Sequence, residues 1–311
     1  MEIINVKGRT EPLPENLAIA LGTFDGVHRG HLKIIDAVIK EAHGRKTAVY
    51  TFSNIPAAVL GFTERKQLST LEQKAEFISK LGIDYFLYEE FDAATANQTP
   101  GEFEDFLVNV LRAKHLVMGF NYTYGHQAMG TAQLLKEHMS ARGIPVTIIS
   151  PVMSEGEVVS STKIRDALMA GDVMFANEML GRNFDITSTV VKGAQLGRTI
   201  GFPTINFDIH DRDIVIKNGV YVSRVLLKDG RAFGGITNIG YKPTVKKEPV
   251  GKNIETYIFD FDEDIYGQEV RVEFIMRLRD EQKFGSLEEL KHMLEQNKLD
   301  AQKILGMYQR Q

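Results

Sequence analysis

Short apolar runs alternate with amphipathic stretches through the first half of the chain. Five runs have the length and apolar character of buried strands: LAIALGTF, KTAVYTF, DYFLYEEF, HLVMGF and PVTIISPV. The stretches between them, such as LKIIDAVIKEAHG and STLEQKAEFISKLG, place apolar residues at helical spacing, and Gly44, Gly82 and Gly143 close three of these helices. This alternation predicts a parallel sheet with helices on both faces, whose ligands bind at the carboxyl ends of the strands.

The pattern changes after a further helical stretch, SSTKIRDALMAGDVMFANEMLG. From about Phe184 to Met276 the chain consists of strands separated by turns, and Asp229-Gly230 between apolar runs is a hairpin signal. This half predicts a small antiparallel barrel or sandwich. SLEELKHMLEQN and LDAQKILGMYQ predict two closing helices. The boundary is expected near Gly181 to Asp185, which gives two domains, residues 1–182 and 183–311.

Composition narrows the function classes. A chain of 311 residues with 43% hydrophobic and 25% charged residues is typical of a globular protein of two domains. The net charge of -4 argues against general affinity for nucleic acid or an anionic membrane. No long apolar run or secretory signal is visible, so the expected location is the cytoplasm and the expected partners are small molecules. The absence of cysteine excludes disulfides and thiolate chemistry. The sequence does not give the oligomeric state.

The end of the first predicted strand carries the stretch LGTFDGVHRGHL, with His28 and His31 three residues apart. Its glycines allow close approach of a ligand, and the helix that starts near Gly30 offers free N–H groups and a favourable dipole to an anion. Two histidines can donate further hydrogen bonds to phosphate oxygens, which suits attack on the α-phosphate of a nucleotide with loss of pyrophosphate. Two alternatives remain open. In the first, His28 only caps the helix and His31 packs on its first turn. In the second, the two histidines bind a metal ion with Asp25 as an additional ligand.

The stretch VSSTKIR is a second candidate for binding an anion at a helix start. Ser160, Ser161 and Thr162 are good N-cap residues, and Lys163 and Arg165 bring positive charge to a helix start. A cation is unfavourable there unless an anion binds. The alternative is a capped surface helix whose cations face solvent.

In the second half, KGAQLGRTIGFPTINF combines a glycine-rich turn with a compact polar cluster. Such a turn can cradle phosphates through backbone N–H groups. Thr204 and Asn206 alternate with Ile205, so both leave the strand on one face and present oxygen ligands that suit Mg²⁺. No GxxxxGK[ST] loop is present, so any kinase chemistry is of another type. The alternative is a β-bulge followed by a turn.

These motifs together resemble a known family. GTFDGVHRGH resembles the HxGH signature of the nucleotidyltransferase superfamily, and the whole chain resembles the prokaryotic bifunctional riboflavin kinase/FAD synthetases. MGFNYTYG is similar to that family's flavin- and nucleotide-site loop, VSSTKIR to its serine-threonine-basic motif, and TFSNIPAAVL to its proline-rich loop. GRTIGFPTIN is similar to the riboflavin kinase signature, TNIGYKPTV to the strand and loop after it, and LRDEQKFGSLEELK to the segment that covers the flavin. NIETYIFDFDEDIYG matches the segment whose catalytic carboxylate falls on Glu255.

The resemblance implies a fold, two activities and a set of site residues. It implies a Rossmann-like nucleotidyltransferase domain followed by a small antiparallel riboflavin kinase-like barrel with closing helices. The barrel would phosphorylate riboflavin to FMN, and the first domain would transfer AMP from ATP to FMN, giving FAD and pyrophosphate, both with Mg²⁺. The implied catalytic residues are His28, His31 and Glu255, the last as base toward the ribityl 5'-hydroxyl, and the implied metal ligands are Thr204 and Asn206. An exposed cross-strand partner is the alternative role for Glu255.

The residues implied to bind the nucleotide come from four stretches: Gly22, Thr23, Phe24, Asp25, Gly26, Gly30, Asn121, Ser160, Ser161, Thr162, Lys163, Arg165, Gly193, Gly197, Arg198 and Thr199. The residues implied to bind the flavin are Phe52, Pro56, Tyr122, Tyr124, Arg279 and Phe284.

Several positions depart from the family pattern. Ile55 stands where histidine is common, Lys163 where arginine is common, and Tyr122 and Tyr124 where phenylalanine is usual. Lysine does not reproduce the bidentate phosphate contact of arginine, so these departures bear on adenylylation more than on the kinase step. The alternatives are an enzyme with one activity and a degenerate or regulatory second domain, a flavin sensor without turnover, and an adenylyltransferase for another acceptor, such as a nicotinamide or pantetheine phosphate.

Overall fold

A computed structural model of the protein describes residues 1–61, 66–193, 197, 200–207, 215–241 and 252–308. The chain forms two compact units, Met1–Ser161 and Thr162–Gln311. Arg198 and Thr199, which the sequence predicts to bind nucleotide, lie outside the described residues.

The first unit is built on a six-stranded sheet in the order β1-β4-β3-β2-β5-β6. All of its neighbouring strands pair in parallel, which confirms the predicted sheet. The strands are β1 (Glu2–Asn5), β2 (Leu17–Leu21), β3 (Lys46–Phe52), β4 (Tyr85–Glu89), β5 (Ala113–Gly119) and β6 (Val146–Ile149). The sequence pattern missed β1, because this edge strand is short and mostly exposed and so lacks a buried apolar run.

Helices cover both faces of this sheet. They are α1 (Arg29–Lys40), α2 (Pro56–Val59), α3 (Leu71–Ser79), α4 (Ala93–Asn97), α5 (Pro100–Asp105) and α6 (Ala132–Ala141). A π-helical turn, Phe106–Val110, continues α5, and a 3₁₀ turn spans His126–Ala128. Two short antiparallel pairs join Thr123–Tyr124 to Gly130–Thr131 and Met153–Ser154 to Glu157–Val158.

The side chains of β2 show why the strand is apolar throughout. Leu17, Ile19 and Leu21 enter one buried cluster, whereas Ala18 and Ala20 enter the cluster on the opposite face. Because successive residues of a strand point to opposite faces, a strand between two helix layers must be apolar at every position.

The second unit begins with α7 (Ser161–Ala170), whose first residue closes the first unit, and α8 (Val173–Leu180). Its six strands close into an antiparallel barrel in the order β7-β8-β11-β10-β9-β12, which confirms the predicted fold class. They are β7 (Phe184–Val191), β8 (Thr204–Phe207), β9 (Gly219–Leu227), β10 (Ala232–Tyr241), β11 (Lys252–Ile258) and β12 (Glu269–Arg279). Asp229-Gly230 forms the predicted hairpin turn between β9 and β10, with Gly230 at φ +90°.

One helix, α9 (Leu287–Tyr308), closes the barrel where the sequence predicts two segments, so that detail of the prediction is wrong. The polar run EQNKLD suggests a break, yet its residues have partners. Asn297 is buried and accepts a hydrogen bond from Nε of Arg279 at 3.2 Å, and Nζ of Lys298 lies 5.6 Å from the ring centroid of Tyr257. Among the helices in the described ranges, none is long and apolar enough to cross a membrane.

Candidate active sites

The loop after β2 has an unusual backbone. Phe24 and Val27 adopt left-handed conformations, with φ of +46° and +38°, beside Gly26 at +78°. A left-handed residue other than glycine costs about 1–2 kcal/mol, so packing must hold this shape. Phe24 and Val27 are buried, and the buried Asp25 accepts hydrogen bonds through Oδ1 from the backbone N–H groups of residues 68 and 69, at 2.9 and 3.3 Å. The loop is therefore rigidly placed at the carboxyl edge of the sheet.

The two histidines that follow this loop form a stacked pair. His28 is the N-cap of α1, and its Nδ1 accepts a hydrogen bond from the backbone N–H of His31 at 3.3 Å. The two rings stack with centroids 3.6 Å apart and planes inclined by 15°. Since Nδ1 of His28 accepts, a neutral His28 carries its proton on Nε2, which is then a donor. The capping alternative is thus compatible with phosphate contact, because the two roles use different nitrogens.

The glycines of the loop permit close packing. A Cβ on Gly30 would lie 3.1 Å from the ring of His28 and 3.8 Å from the carbonyl oxygen of Val159. Ser161 donates a hydrogen bond from Oγ to the carbonyl oxygen of Asp25 at 2.8 Å, so Ser161 lies at the loop as predicted. Thr162, Lys163 and Arg165 follow in α7, in the second unit, and their contact with nucleotide stays a prediction.

The metal alternative has no support from this geometry. Within the part of the chain that the structure describes, no group of three or more histidine, cysteine or acidic side chains is placed to hold a metal ion. His28, His31 and Asp25 therefore do not form such a group.

A chain of aromatic rings follows the carboxyl edge of the sheet from the predicted proline-rich loop to the predicted flavin loop. Successive ring centroids are 5.7, 5.9, 5.3 and 6.1 Å apart along Phe52, Tyr50, Phe103, Tyr124 and Tyr122. Three of these residues were predicted to bind flavin. Tyr50 and Phe103, between them, are buried residues of the hydrophobic core.

The two predicted flavin-site tyrosines differ in their surroundings. Tyr124 is buried and donates a hydrogen bond from its hydroxyl to Oε1 of the buried Glu104 at 2.6 Å, which places it in the support of the loop. Nδ1 of His138 lies 2.9 Å from the same carboxylate oxygen. Tyr122 is half-buried, and burial raises the pKa of its hydroxyl. Asn121, predicted to bind nucleotide, is exposed next to it.

The proline-rich loop begins α2. Pro56 is in the first turn of this helix, and Ile55 is its N-cap without a side-chain hydrogen bond. A histidine at position 55 could supply a polar contact that isoleucine does not.

In the second unit, the antiparallel register brings the predicted kinase residues together. Asn206 in β8 lies directly opposite Glu255 in β11, and Thr204 lies opposite Tyr257. Residues that face each other across antiparallel strands project from the same side of the sheet. The metal-ligand candidates and the candidate base therefore share one face, an alignment that depends on strand register and that the sequence did not predict. Oε1 of Glu255 accepts a hydrogen bond from Nδ2 of Asn253 at 2.7 Å.

Gly193 and Gly197, two described residues of the glycine-rich segment, each lie close to residues between Phe202 and Asn206. A Cβ on Gly193 would come within 2.3 Å of the amide nitrogen of Asn206, so only glycine allows this approach. A Cβ on Gly197 would lie 2.2 Å from the carbonyl oxygen of Phe202, whose N–H donates to the carbonyl oxygen of Gly197 at 2.8 Å. Gly193 and Gly197 therefore each occupy a position that has no space for a side chain.

The same face extends toward the predicted flavin residues. Cross-strand partners run in one row through Asn206, Glu255, Asn238, Val220 and Arg279, over five strands. Four inter-strand spacings of about 4.8 Å make this row at most about 19 Å long. The sequence pattern missed Asn238, because its alignment with Glu255 depends on strand register.

The far end of the row holds Arg279 and Phe284, which the structure brings together as predicted. The guanidinium carbon of Arg279 lies 5.8 Å from the ring centroid of Phe284. Burial lowers the pKa of Arg279. A flat aromatic ligand would find an aromatic ring and a partly desolvated cation here.

Both halves of the chain match known protein families. The FAD synthetase family model matches residues 10–163, and the riboflavin kinase family model matches residues 180–305. The chain is 38% identical to the bifunctional riboflavin kinase/FMN adenylyltransferase of Bacillus subtilis (strain 168), covering 91% of this chain and 90% of that protein. It is 33% identical to the protein of the same description from Escherichia coli (strain K12), covering 94% of each.

A solved structure has the same architecture over the whole chain. It is titled macrolide-efflux protein, from Streptococcus pneumoniae, and superposes with a TM-score of 0.88 at 30% identity, covering 97% of this chain and 99% of that one.

Proposed function

The chain belongs to the bifunctional riboflavin kinase/FMN adenylyltransferase family, and we propose that it converts riboflavin to FMN and FMN to FAD. One observation carries the proposal: each unit that a family model matches holds its own cluster of predicted catalytic residues. The first unit holds the stacked His28 and His31 at a helix start, and the second holds Asn206 opposite Glu255.

For adenylyl transfer, a phosphate oxygen of FMN attacks the α-phosphorus of ATP, and the bond to pyrophosphate breaks. Negative charge grows on the α-phosphate oxygens in this step. In this proposal, Nε2 of His28, the ring of His31 and the positive end of the α1 dipole stabilise that charge. No covalent intermediate is needed.

For phosphoryl transfer, the ribityl 5'-hydroxyl attacks the γ-phosphorus of ATP, and ADP leaves. Glu255 takes the hydroxyl proton. Asn253 donates to Oε1 of Glu255 and so orients the carboxylate, and in this proposal Oε2 accepts the proton. The glycine-rich turn at Gly193 and Gly197 supplies backbone N–H groups to the phosphates.

The residues of the second unit fit a magnesium ion. The hydroxyl of Thr204 and the amide oxygen of Asn206 are hard ligands on one face, and Gly193, which has no side chain, accommodates the Asn206 amide. When bound with ATP, Mg²⁺ neutralises charge on the triphosphate. Thr204 and Asn206 would hold it, and Glu255 across the strand would stay available to the hydroxyl.

The domain boundary that we propose lies between residues 182 and 183, where the pattern of strands separated by turns begins. A cytoplasmic location and the lack of nucleic-acid and membrane partners stay predictions from the sequence.

One incubation tests the proposed function. The protein is mixed with riboflavin and MgATP, and FMN and FAD are followed separately by chromatography. FMN should appear first and FAD should follow, with ADP and pyrophosphate as co-products. FMN that accumulates without FAD, including when FMN is supplied directly, would leave a kinase with a regulatory first unit. Formation of neither product would refute both activities.

A further inference from the structure

Helix α3 places a buried lysine against the carboxyl ends of two central strands. Lys74 is only 2% exposed, and its Nζ donates a hydrogen bond to the carbonyl oxygen of Phe52 at 2.7 Å, where β3 ends. The same nitrogen lies 3.5 Å from the carbonyl oxygen of Thr23, in the loop after β2. An ammonium group is costly to bury, so these contacts must compensate for lost hydration.

The two carbonyl groups belong to different substrate loops. Thr23 precedes the stacked histidines in the predicted nucleotide loop, and Phe52 begins the aromatic row on the flavin side. Lys74 therefore joins the nucleotide side of the first unit to its flavin side. The residues before α3 add to this attachment, because the N–H groups of residues 68 and 69 donate to Asp25 and Oγ of Ser69 accepts from the N–H of Gly26 at 3.0 Å.

The charged groups around Lys74 determine its protonation. Burial disfavours the ammonium form and lowers the pKa of Lys74 to about 8, while Asp25 from the nucleotide loop and Glu72 from α3 itself favour the charged form. From β3 the lysine meets the carbonyl oxygen of Phe52. The charge is thus present at neutral pH and is lost in mildly alkaline solution.

We propose that Lys74 is a positioning residue for adenylyl transfer, whose ammonium group holds the Thr23 and Phe52 backbones at the spacing that the two substrates require. This inference rests on the proposed adenylyltransferase function of the first unit. Lys74 acts through these two backbones, and its loss should lower the turnover rate more than it weakens the binding of either substrate alone.

The first test removes the charge. Lys74→Met should lower kcat for FAD formation from FMN and MgATP by about 10²-fold, the typical effect of a small misplacement of reacting groups. FMN formation from riboflavin by the same preparation should be unchanged. Lys80→Met is the matched control, because Lys80 directly follows α3 and its side chain is 61% exposed. Its FAD formation should equal that of the parent.

The second test uses pH and separates positioning from mere support of the fold. In the parent, the ratio of FAD-forming to FMN-forming rates should fall by up to about thirtyfold between pH 7 and pH 9.5, as the ammonium deprotonates. In Lys74→Met the ratio should be low and independent of pH. If the methionine variant loses its folded circular dichroism spectrum, Lys74→Gln is used in its place, because glutamine keeps an N–H donor. Its FAD-forming rate should be intermediate, and the ratio of the two rates should again be independent of pH.

Two results would overturn the inference. One is a parental FAD-forming rate in both Lys74 variants at pH 7, and the other is the same alkaline decline in parent and variants. A parent that makes no FAD at pH 7 would instead refute the proposed adenylyltransferase function, and the inference with it.

Discussion

At the scale of single residues, two of the candidate catalytic side chains each have one atom held by a hydrogen bond. His28 uses Nδ1 to cap α1, and Glu255 uses Oε1 to accept from Asn253. The sequence predicts an anion site at His28 from the HxGH spacing, and it offers Glu255 as a candidate base through the family resemblance alone. It could not predict which atom is engaged, since this depends on rotamers. Lys74 was missed, because a lysine in an amphipathic helix is usually solvated.

Replacing His28 should separate the two activities. His28→Ala removes a donor to the transferring phosphate, so FAD formation from FMN should fall by about 10²–10³-fold while FMN formation persists. His43→Ala, at a side chain that is 67% exposed, is the control and should leave both rates unchanged. Steady-state rates of each half-reaction measure the effect. Parental FAD formation in both His28→Ala and His31→Ala would remove the HxGH loop from the chemistry.

Replacing Glu255 should have the opposite effect. Glu255→Gln keeps the shape but loses the base, so FMN formation should fall by about 10²–10⁴-fold, whereas FAD formation from supplied FMN should continue. Glu269→Gln, at a half-exposed position of the same barrel, is the control. An unchanged kinase rate in Glu255→Gln would assign the base to another residue.

At the scale of elements, periodicity predicts most strands and helices because β2 to β6 and the barrel strands bury regular apolar patterns. Periodicity fails where an element buries little apolar surface or buries polar residues. β1 is a short exposed edge, and α9 continues through Asn297 and Lys298 because both find partners on the barrel. The close approach of Gly193 to Asn206 could not be predicted either, because the two residues belong to different local elements and sequence periodicity says nothing about contacts between them.

A methyl group at position 193 should disturb the kinase site. Gly193→Ala would force its Cβ to within 2.3 Å of the Asn206 amide, so Asn206 or the turn must move. FMN formation should fall by about tenfold or more and require a higher Mg²⁺ concentration. Gly306→Ala, at a helical glycine with nothing within 4 Å of the added Cβ, should keep the parental magnesium dependence. The same dependence in Gly193→Ala would argue against Asn206 as a ligand.

The starts of β3 and β4 are joined by a carboxylate whose contribution depends on pH. Asp84 accepts hydrogen bonds from the N–H and hydroxyl of Thr47 and from Nζ of Lys46, at 2.9, 3.0 and 2.9 Å. Burial opposes ionisation of Asp84, but these bonds outweigh it and lower the pKa of the carboxyl below its usual value. Its stabilisation is therefore complete above the unfolded-state pKa of about 3.9 and is lost as the pH falls through the folded-state pKa.

Asp84→Asn should accordingly lower the free energy of unfolding of the first unit at pH 7 by about 1–2 kcal/mol. Urea denaturation at pH 7, 5 and 3 would show the same difference from the parent at pH 7 and 5 and a smaller one at pH 3. Asp36→Asn, at an exposed carboxylate paired with Lys40, should have little effect at any of these values. A pH-independent difference would mean that packing, not charge, stabilises this position.

At the scale of the whole molecule, two units of different architecture each carry a site for one step of the same conversion. The sequence predicted both architectures, because a strand–helix rhythm and a strand–turn rhythm follow one another with little overlap. The candidate site residues in each half come from local motifs and their resemblance to the family, and they stay predictions. The product of the kinase step is the acceptor of the adenylyl step, so FMN that leaves the second unit is the substrate of the first.

Complementation between two inactive variants tests most directly whether one chain carries two independent sites. His28→Ala and Glu255→Gln are each incubated with riboflavin and MgATP, alone and as an equal mixture, and FMN and FAD are quantified. His28→Ala alone should stop at FMN, Glu255→Gln alone should leave riboflavin unchanged, and the mixture should form FAD, because FMN from one variant reaches the other. Parental FAD formation from riboflavin by either variant alone, or a mixture that forms no FAD, would contradict the account.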